Sequence, residues 1–207
     1  MRGNNPNGVY SPNGPASEHF TFTGSGTINA SGNIQSLIDP TMERTDVPDN
    51  CYSNMFSDCI SLTQAPELPA TTLASGCYSS MFRNCTYLTS APELPATDLD
   101  FQCYTDMFNG CTSLSRIKMN ASSGSWGENM FNGCTSLELV DMTGSTGVPT
   151  LENVNNFDNT NDTYKIVVPD SLYDTWVNET NWASIATHIM KQSDWNNEHP
   201  DDILGQQ

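Results

Sequence analysis

Basic residues are scarce in this chain, and long apolar runs are missing. Lys and Arg number 7 against 24 Asp and Glu among 207 residues, which gives a formal net charge of −17. Negative charge of this size repels phosphate groups, so we expect neither a nucleic-acid partner nor binding to anionic membranes. A membrane-spanning helix needs roughly 18 or more consecutive apolar residues. The chain has no such run, so we expect that it does not insert into a membrane. We also expect the chain to be a monomer.

Motifs typical of catalysis, metal binding and phosphate binding are missing as well. The chain has no G-x-S-x-G, no H-E-x-x-H and no Gly-Lys phosphate loop. Its histidines, His19, His188 and His199, are scattered between the two ends of the chain. The cysteines follow a C-x7-C spacing, whereas zinc sites use closely spaced pairs or a neighbouring histidine. We therefore predict a protein that is not an enzyme and that holds no cofactor and no metal ion.

A sequence repeat of 23 or 26 residues occupies the centre of the chain. Segments 51–76 and 77–102 are identical at 16 of 26 positions, and further copies begin at Cys103 and Trp126. A spacing of 23 or 26 residues fits one leucine-rich repeat and is too short for tetratricopeptide or ankyrin units, which need about 33–34 residues. The repeated phenylalanines are Phe56, Phe82, Phe108 and Phe131, with Phe157 one further step of 26 residues along.

Each copy contains the parts of one solenoid coil. Leu62, Ala65 and Leu68 are the apolar positions of a short extended stretch, in which Pro66 and Pro69 limit the strand to a few residues. The stretch 51–59 lacks strand alternation, so we predict a helical or 3-10 return arc there. Coils stacked about 4.8 Å apart would bury the recurring side chains in columns. The predicted fold is a β-rich leucine-rich-repeat solenoid with short parallel strands, helical or 3-10 return arcs, an N-terminal β cap and a C-terminal helical cap.

The ends of the chain differ in composition from the repeats. Residues 1–17 are mainly Asn, Gly, Pro and Ser, a composition typical of flexible segments. A stack of coils also exposes an apolar surface at each end, which requires caps. We therefore predict a flexible lead-in at 1–17, an N-terminal cap with a degenerate first coil at 18–50, leucine-rich repeats at 51–162, a C-terminal strand and helical cap at 163–195, and a flexible tail at 196–207.

All seven cysteines fall on repeat positions. Cys51, Cys77 and Cys103 form one series, and the others are Cys59, Cys85, Cys111 and Cys134. Parallel side chains on stacked coils keep their Cβ atoms about 4.8 Å apart, whereas a disulfide needs about 3.8 Å. We expect buried free thiols that pack as small apolar side chains, with one or more disulfides as the alternative.

The repeat also resembles a known family. The pattern M-F-x-x-C-T-S-L-T-x-A-P-E-L-P-A-T-x-L, preceded by FTFTGSGTINASGNIQSL and followed by IVVPDSLYDTWVNETNWASIA, is similar to the BspA-type leucine-rich-repeat proteins over about residues 18–190. The resemblance implies a surface-exposed or secreted β-solenoid, often anchored as a lipoprotein, and a few members are adhesins for host matrix proteins. We therefore expect an extracellular or cell-surface location. Trp126 in place of Cys, the shorter third copy and the irregular segment 144–162 depart from the pattern.

Binding in such solenoids usually uses the outward side chains of the stacked strands. We therefore expect a non-catalytic adhesion or recognition module whose ligand is a host or matrix protein or a glycan. The alternative is a structural spacer without a ligand, which the near-identity of the first two copies favours. The candidate binding residues are Thr63, Gln64, Glu67, Thr89, Ser90, Glu93, Ser115, Arg116, Lys118, Glu138 and Asp141.

Overall fold

The computed structural model describes residues 26–39, 41 and 43–205. The predicted lead-in at 1–17 and the phenylalanines Phe20 and Phe22 of the predicted N-terminal cap lie outside the described residues. The strands are short and pair in parallel, as predicted from the repeat. They are β1 (Ile28–Asn29), β2 (Leu62–Gln64), β3 (Asp98–Leu99), β4 (Arg116–Lys118), β5 (Ser123–Gly124), β6 (Leu139–Asp141), β7 (Lys165–Val168) and β8 (Ile189–Lys191).

One parallel ladder runs through the described coils. Strand β1 pairs with β2, and single bridges join Gln64 to Ser90 and Ser90 to Arg116. Strands β4, β6, β7 and β8 continue it as a four-stranded sheet, in which Arg116 lies opposite Leu139 and Leu139 opposite Lys165. Equivalent positions of successive coils therefore lie side by side.

A second parallel ladder, which the sequence did not indicate, lies elsewhere on each coil. Strand β3 pairs with β5, and bridges link Asp46 to Thr72, Thr72 to Asp98, and Ser125 to Thr150. Each of these bridges again joins neighbouring coils. Backbone hydrogen bonds thus connect neighbouring coils in two separate ladders.

The return arcs differ from the predicted helical or 3-10 conformation. The arc beginning at Cys51 is a series of turns, and the arcs of the next three copies are too. Residues at three repeat positions have a left-handed backbone, which interrupts a right-handed helix every four residues. These residues are Asn50, Gly76 and Gln102 at the first position, Asn54, Ser80, Asp106 and Asn129 at the second, and Asp58, Asn84, Gly110 and Gly133 at the third. Short 3-10 helices occur instead at Ile34–Leu37 and Val154–Phe157.

The left-handed turns direct backbone groups of the arc at the neighbouring coil. Phe56 N donates to Met81 O at 2.9 Å, and Phe82 N donates to Met107 O at 3.0 Å. Phe108 N donates to the next coil in the same way. The arcs are therefore hydrogen-bonded between coils as the strands are, which satisfies backbone groups that are buried in the stack.

The repeated phenylalanines form one column through the core. Their ring centroids are 5.6 Å apart between Phe56 and Phe82, 5.6 Å between Phe82 and Phe108, and 6.0 Å between Phe108 and Phe131. Phe157 extends the column, 5.6 Å from Phe131. The rings are nearly parallel along the first three steps. This alignment confirms the prediction that like side chains of successive copies meet.

The seven cysteines are buried free thiols, as predicted. The Sγ of Cys85 donates to Phe56 O at 3.1 Å, and Cys111 and Cys134 repeat this contact with the next phenylalanines. Burial raises the pKa of Cys51 to about 12 and that of Cys59 to about 11. Only the thiolate is a good nucleophile, so these thiols are protected from reaction in the folded chain.

Alkylation should distinguish free thiols from disulfides. With iodoacetamide and no reductant, we expect fewer than one label per folded chain and seven labels in urea, counted by intact mass. Raising the pH to about 9, above the ordinary thiol pKa of about 8.5, should leave the folded chain poorly labelled because all seven thiols are buried. Five or fewer labels in urea would mean that a pair of cysteines is joined.

The C-terminal elements pack against the last repeat copy. Helix α1 (Tyr173–Asn178) and a kinked 3-10 helix (Trp182–His188) follow β7. Trp176 and Trp182 are fully buried, and Trp182 lies 5.1 Å from Trp126 in an edge-to-face contact. Before α1 the chain forms a 3-10 turn at Asp170–Leu172, and α1 has no side-chain cap.

The segment 196–207, expected to be a flexible tail, is folded as far as it is described. Helix α2 (Gln192–Glu198) precedes a loop that returns to it, because Leu204 N donates to Asn196 Oδ1 at 2.9 Å. Trp195 is the reason for the difference. This aromatic side chain is 7% exposed and packs on the four-stranded sheet, which anchors the residues that follow.

Candidate functional site

The outward side chains of the first ladder form a continuous surface, here called the strand face. One row of it contains Gln64, Ser90, Arg116, Leu139 and Lys165, which lie opposite one another in register. Its N-terminal half belongs to the first two repeat copies and its C-terminal half to strands β4, β6, β7 and β8. The two halves differ in chemistry.

The N-terminal half contains an open groove of about 490 Å³. It is lined by the Ala-Pro pairs of the first two copies and by Glu67 and Glu93. Both carboxylates are exposed. The Nζ of Lys118 lies 3.1 Å from Glu93 Oε1. The lining of the groove is therefore mainly apolar and carries two exposed carboxylates.

The small polar residues predicted for the site divide into two groups. The hydroxyl of Thr63 donates to Ile28 O at 3.2 Å, and that of Ser115 donates to Thr89 O at 3.4 Å. These two side chains hold neighbouring coils together. Gln64, Thr89 and Ser90 are exposed, so they are accessible to a ligand.

The two basic residues predicted for the site are both paired within the chain. Lys118 pairs with Glu93, and Arg116 forms an ion pair with Asp202, 86 residues further along the sequence. The Arg116 guanidinium also lies 6.0 Å from the centre of the Trp195 ring. A ligand that used Arg116 would therefore compete with the C-terminal residues.

Asp141 was expected to face solvent, and the structure corrects this. It is 8% exposed, and its Oδ1 accepts hydrogen bonds from the N and Oγ1 of Thr143. A carboxylate satisfied locally in this way can lie in a covered part of the sheet. Glu138, the remaining predicted residue, is exposed, and its N donates to Ser115 O at 2.8 Å.

Neither a metal centre nor a membrane span is found in the part of the chain that the structure describes. No group of three or more His, Cys, Asp or Glu there could hold an ion. None of the described helices is long and apolar enough to cross a bilayer. His188 stacks on Tyr164, with ring centroids 4.0 Å apart, and His199 stacks on Trp195. His19 lies outside the described residues.

Comparison with known protein families identifies the repeat. The family model for the BspA type leucine rich repeat region matches residues 49–176 in six copies, which is more than half of the chain. The chain belongs to the BspA-type leucine-rich-repeat family. Searches of curated proteins and of solved structures gave no significant match.

Membership of the BspA-type family gives a general expectation about function. Leucine-rich-repeat domains are generally non-catalytic, and they suggest a protein-interaction or surface-associated role. BspA-type repeats are typical of surface-associated proteins. The family therefore indicates the general class of this protein. A more specific proposal about its ligand has to rest on the strand face of this chain.

The C-terminal half of this BspA-type strand face contains an apolar cluster, which the sequence reasoning missed. Leu139, Val167 and Met190 lie on it and pack against Trp195 and Leu204. A signal for this was present in the sequence. Strands β6 and β7 contain adjacent apolar residues, Leu139–Val140 and Ile166–Val168. Apolar residues without alternation are typical of strands buried on both faces.

Proposed function

We propose that this chain is a non-catalytic recognition module of a secreted or cell-surface protein, and that it binds a partner protein in the groove between the first two repeat copies. The open, mainly apolar groove with Glu67 and Glu93 is the observation that carries the proposal. Interfaces combine an apolar core with a polar rim, and this groove has both. A neutral or basic partner surface would complement the two carboxylates and the net charge of −17.

An exposed tyrosine three residues before the groove residue Ser90 supports a protein partner. Tyr87 is 60% exposed and precedes Thr89 and Ser90 of the strand face by two and three residues. Tyrosines are enriched in protein interfaces, where they supply much of the binding energy. Phe101 is equally exposed at 59%, but it follows the second ladder and so lies away from the groove.

A binding screen with charge-reversed variants tests the proposal. The folded chain is tested against arrays of extracellular-matrix proteins and of glycans. We expect binding to at least one protein and a loss of tenfold or more in the double variant Glu67→Lys/Glu93→Lys. The control is Glu128→Lys/Glu152→Lys, which makes the same charge change at exposed positions outside the strand face and should bind as the unaltered chain does.

Two outcomes would oppose the assignment. Equal weakening by both double variants would mean that net charge, and not the groove, governs binding. If neither array showed binding, the structural spacer would be favoured. The near-identity of the groove segments QAPELPAT and SAPELPAT supports that alternative, because duplicated surfaces carry little recognition information.

A further inference from the structure

The C-terminal half of the strand face is covered by residues 192–205, here called the C-terminal segment. Trp195 packs against Leu139 and Val167, with Met190 and Leu204 at the edge of the same cluster. This contact is an aromatic anchor in an apolar site, the arrangement by which helical peptides bind grooves.

The C-terminal segment is folded mainly by its own contacts. Trp195 Nε1 donates to Asp202 O at 3.1 Å, and the side chains of Gln192 and Asn196 both donate to Leu204 O. In the described chain, the side-chain hydrogen bonds and ion pairs of residues 195–205 stay inside the segment, except for the ion pair between Asp202 and Arg116. Near the start of the segment, Ser193 N donates to Asp170 Oδ1 at 2.9 Å. The segment is therefore held on the rest of the chain by the Trp195 anchor, by one ion pair and by the contact of Ser193 with Asp170.

The edge of the contact between the C-terminal segment and the sheet is open to solvent. A surface cleft of about 410 Å³ lies there, lined by Lys118, Asn120 and Asp141 on one side and by residues 203–205 on the other. Ile203 is 46% exposed in it. The segment therefore lies on the sheet with one edge accessible from solvent.

Charge on the two surfaces is complementary. Four of the chain's 7 Lys and Arg belong to strands β4, β7 and β8. Two of them, Arg116 and Lys165, lie in the outward row on either side of Leu139. The C-terminal segment carries four acidic residues, Asp194, Glu198, Asp201 and Asp202. Basic residues are thus concentrated where the acidic segment docks.

We propose that the C-terminal half of the strand face is a second binding site, which takes an acidic peptide segment of a partner protein carrying a bulky apolar anchor, and that residues 192–205 occupy it in cis. The occupant itself defines the chemistry of the ligand: a tryptophan over Leu139 and Val167, and a carboxylate on Arg116. This site is separate from the groove of the first two copies, and its test does not depend on the outcome there.

A tethered occupant lowers the apparent affinity for a free peptide. The linked segment competes at a high effective concentration, and a free ligand binds only the fraction of molecules in which the site is open. Weakening the occupant should therefore increase binding of the same peptide supplied in trans. Asp202 is the suitable position because it touches Arg116 while its side chain is 39% exposed.

The experiment uses the full chain and a fluorescein-labelled synthetic peptide of residues 192–205, with binding read by fluorescence anisotropy. We expect the variant Asp202→Lys to bind the peptide at least tenfold more tightly than the unaltered chain does. Adding Arg116→Glu to that variant should reverse the gain. The lysine introduced at position 202 of the chain then pairs with the carboxylate introduced at position 116, and the same carboxylate repels Asp202 of the free peptide. The control Asp201→Lys changes an exposed neighbour by the same charge and should leave peptide binding unchanged.

Hydrogen exchange of the unaltered chain supplies a measurement that needs no variant. Segments that open locally exchange faster than the core, so amides of 195–205 should exchange at least tenfold faster than those of β7. The proposal is overturned if both exchange together, if Asp202→Lys unfolds the chain, if that variant binds the peptide no better than the unaltered chain, or if Asp201→Lys gives the same gain.

Discussion

Replacing Phe108 by alanine is expected to lower the free energy of unfolding by roughly 3–5 kcal/mol, the usual loss for a buried phenylalanine. Phe108 is fully buried in the middle of the column, with Phe82 at 5.6 Å and Phe131 at 6.0 Å. Its removal leaves a cavity between two coils that strands and arcs hold at a fixed spacing, so the neighbours have little freedom to close it. Urea unfolding followed by circular dichroism measures the loss.

The matched control for Phe108 is Phe101→Ala. Phe101 is 59% exposed and lies at the end of the preceding repeat copy, so its replacement should change stability by less than about 0.5 kcal/mol, as for most surface substitutions. Similar losses for the two variants would contradict the column, because they would place Phe108 in an environment no more buried than that of Phe101.

The second large effect is expected at Trp182, in the element that follows helix α1. Trp182 is fully buried, contacts Trp126 and Trp176 edge to face, and donates from Nε1 to Pro149 O at 2.7 Å. We infer that it closes the C-terminal end of the stack, since an uncovered terminal coil exposes apolar surface. Trp182→Ala should lower the free energy of unfolding by roughly 3–5 kcal/mol and should cause self-association on size-exclusion chromatography.

Trp182→Phe separates packing from hydrogen bonding at this position. The phenyl ring still fills much of the space, while Pro149 O loses its donor, so we expect a loss of about 1–3 kcal/mol and a monomeric elution profile. If Trp182→Ala stayed monomeric and as stable as Trp182→Phe, the tryptophan would not be closing the end of the stack.

The columns of the core could be predicted from the sequence because the repeat is nearly regular. Phe56, Phe82 and Phe108 recur at one spacing, and only stacking brings all of them together. The cysteines follow for the same reason, since their repeat positions make each of them a member of a buried series. Periodicity thus fixes which side chains meet between coils.

The conformation of the return arcs could not be predicted from apolar spacing alone. It depends on left-handed residues such as Asn54 and Asp58, and a helix or a series of turns would bury Met55 and Phe56 equally well. A signal was present in the sequence. Asn, Asp, Ser and Gly recur at two of these positions in each copy, and Asn, Asp and Gly are the residues that most readily adopt a left-handed backbone.

The covered half of the strand face was missed for a different reason. Arg116 and Asp202 are 86 residues apart, and no repeat relates the C-terminal segment to the coil on which it docks. Trp195 was the available signal, since an isolated tryptophan in a polar segment needs a partner surface. The unalternating strand β7 supplies that surface.

Ring-to-ring nuclear Overhauser effects in a sample with labelled phenylalanine test the stacking of the repeats most directly. The account predicts contacts along the series from Phe56 through Phe82, Phe108 and Phe131 to Phe157, each ring meeting only its predecessor and its successor among these five. A spectrum in which Phe82 and Phe108 share no contact, or in which Phe56 meets Phe131, would contradict the stack and with it the strand face on which both binding proposals depend.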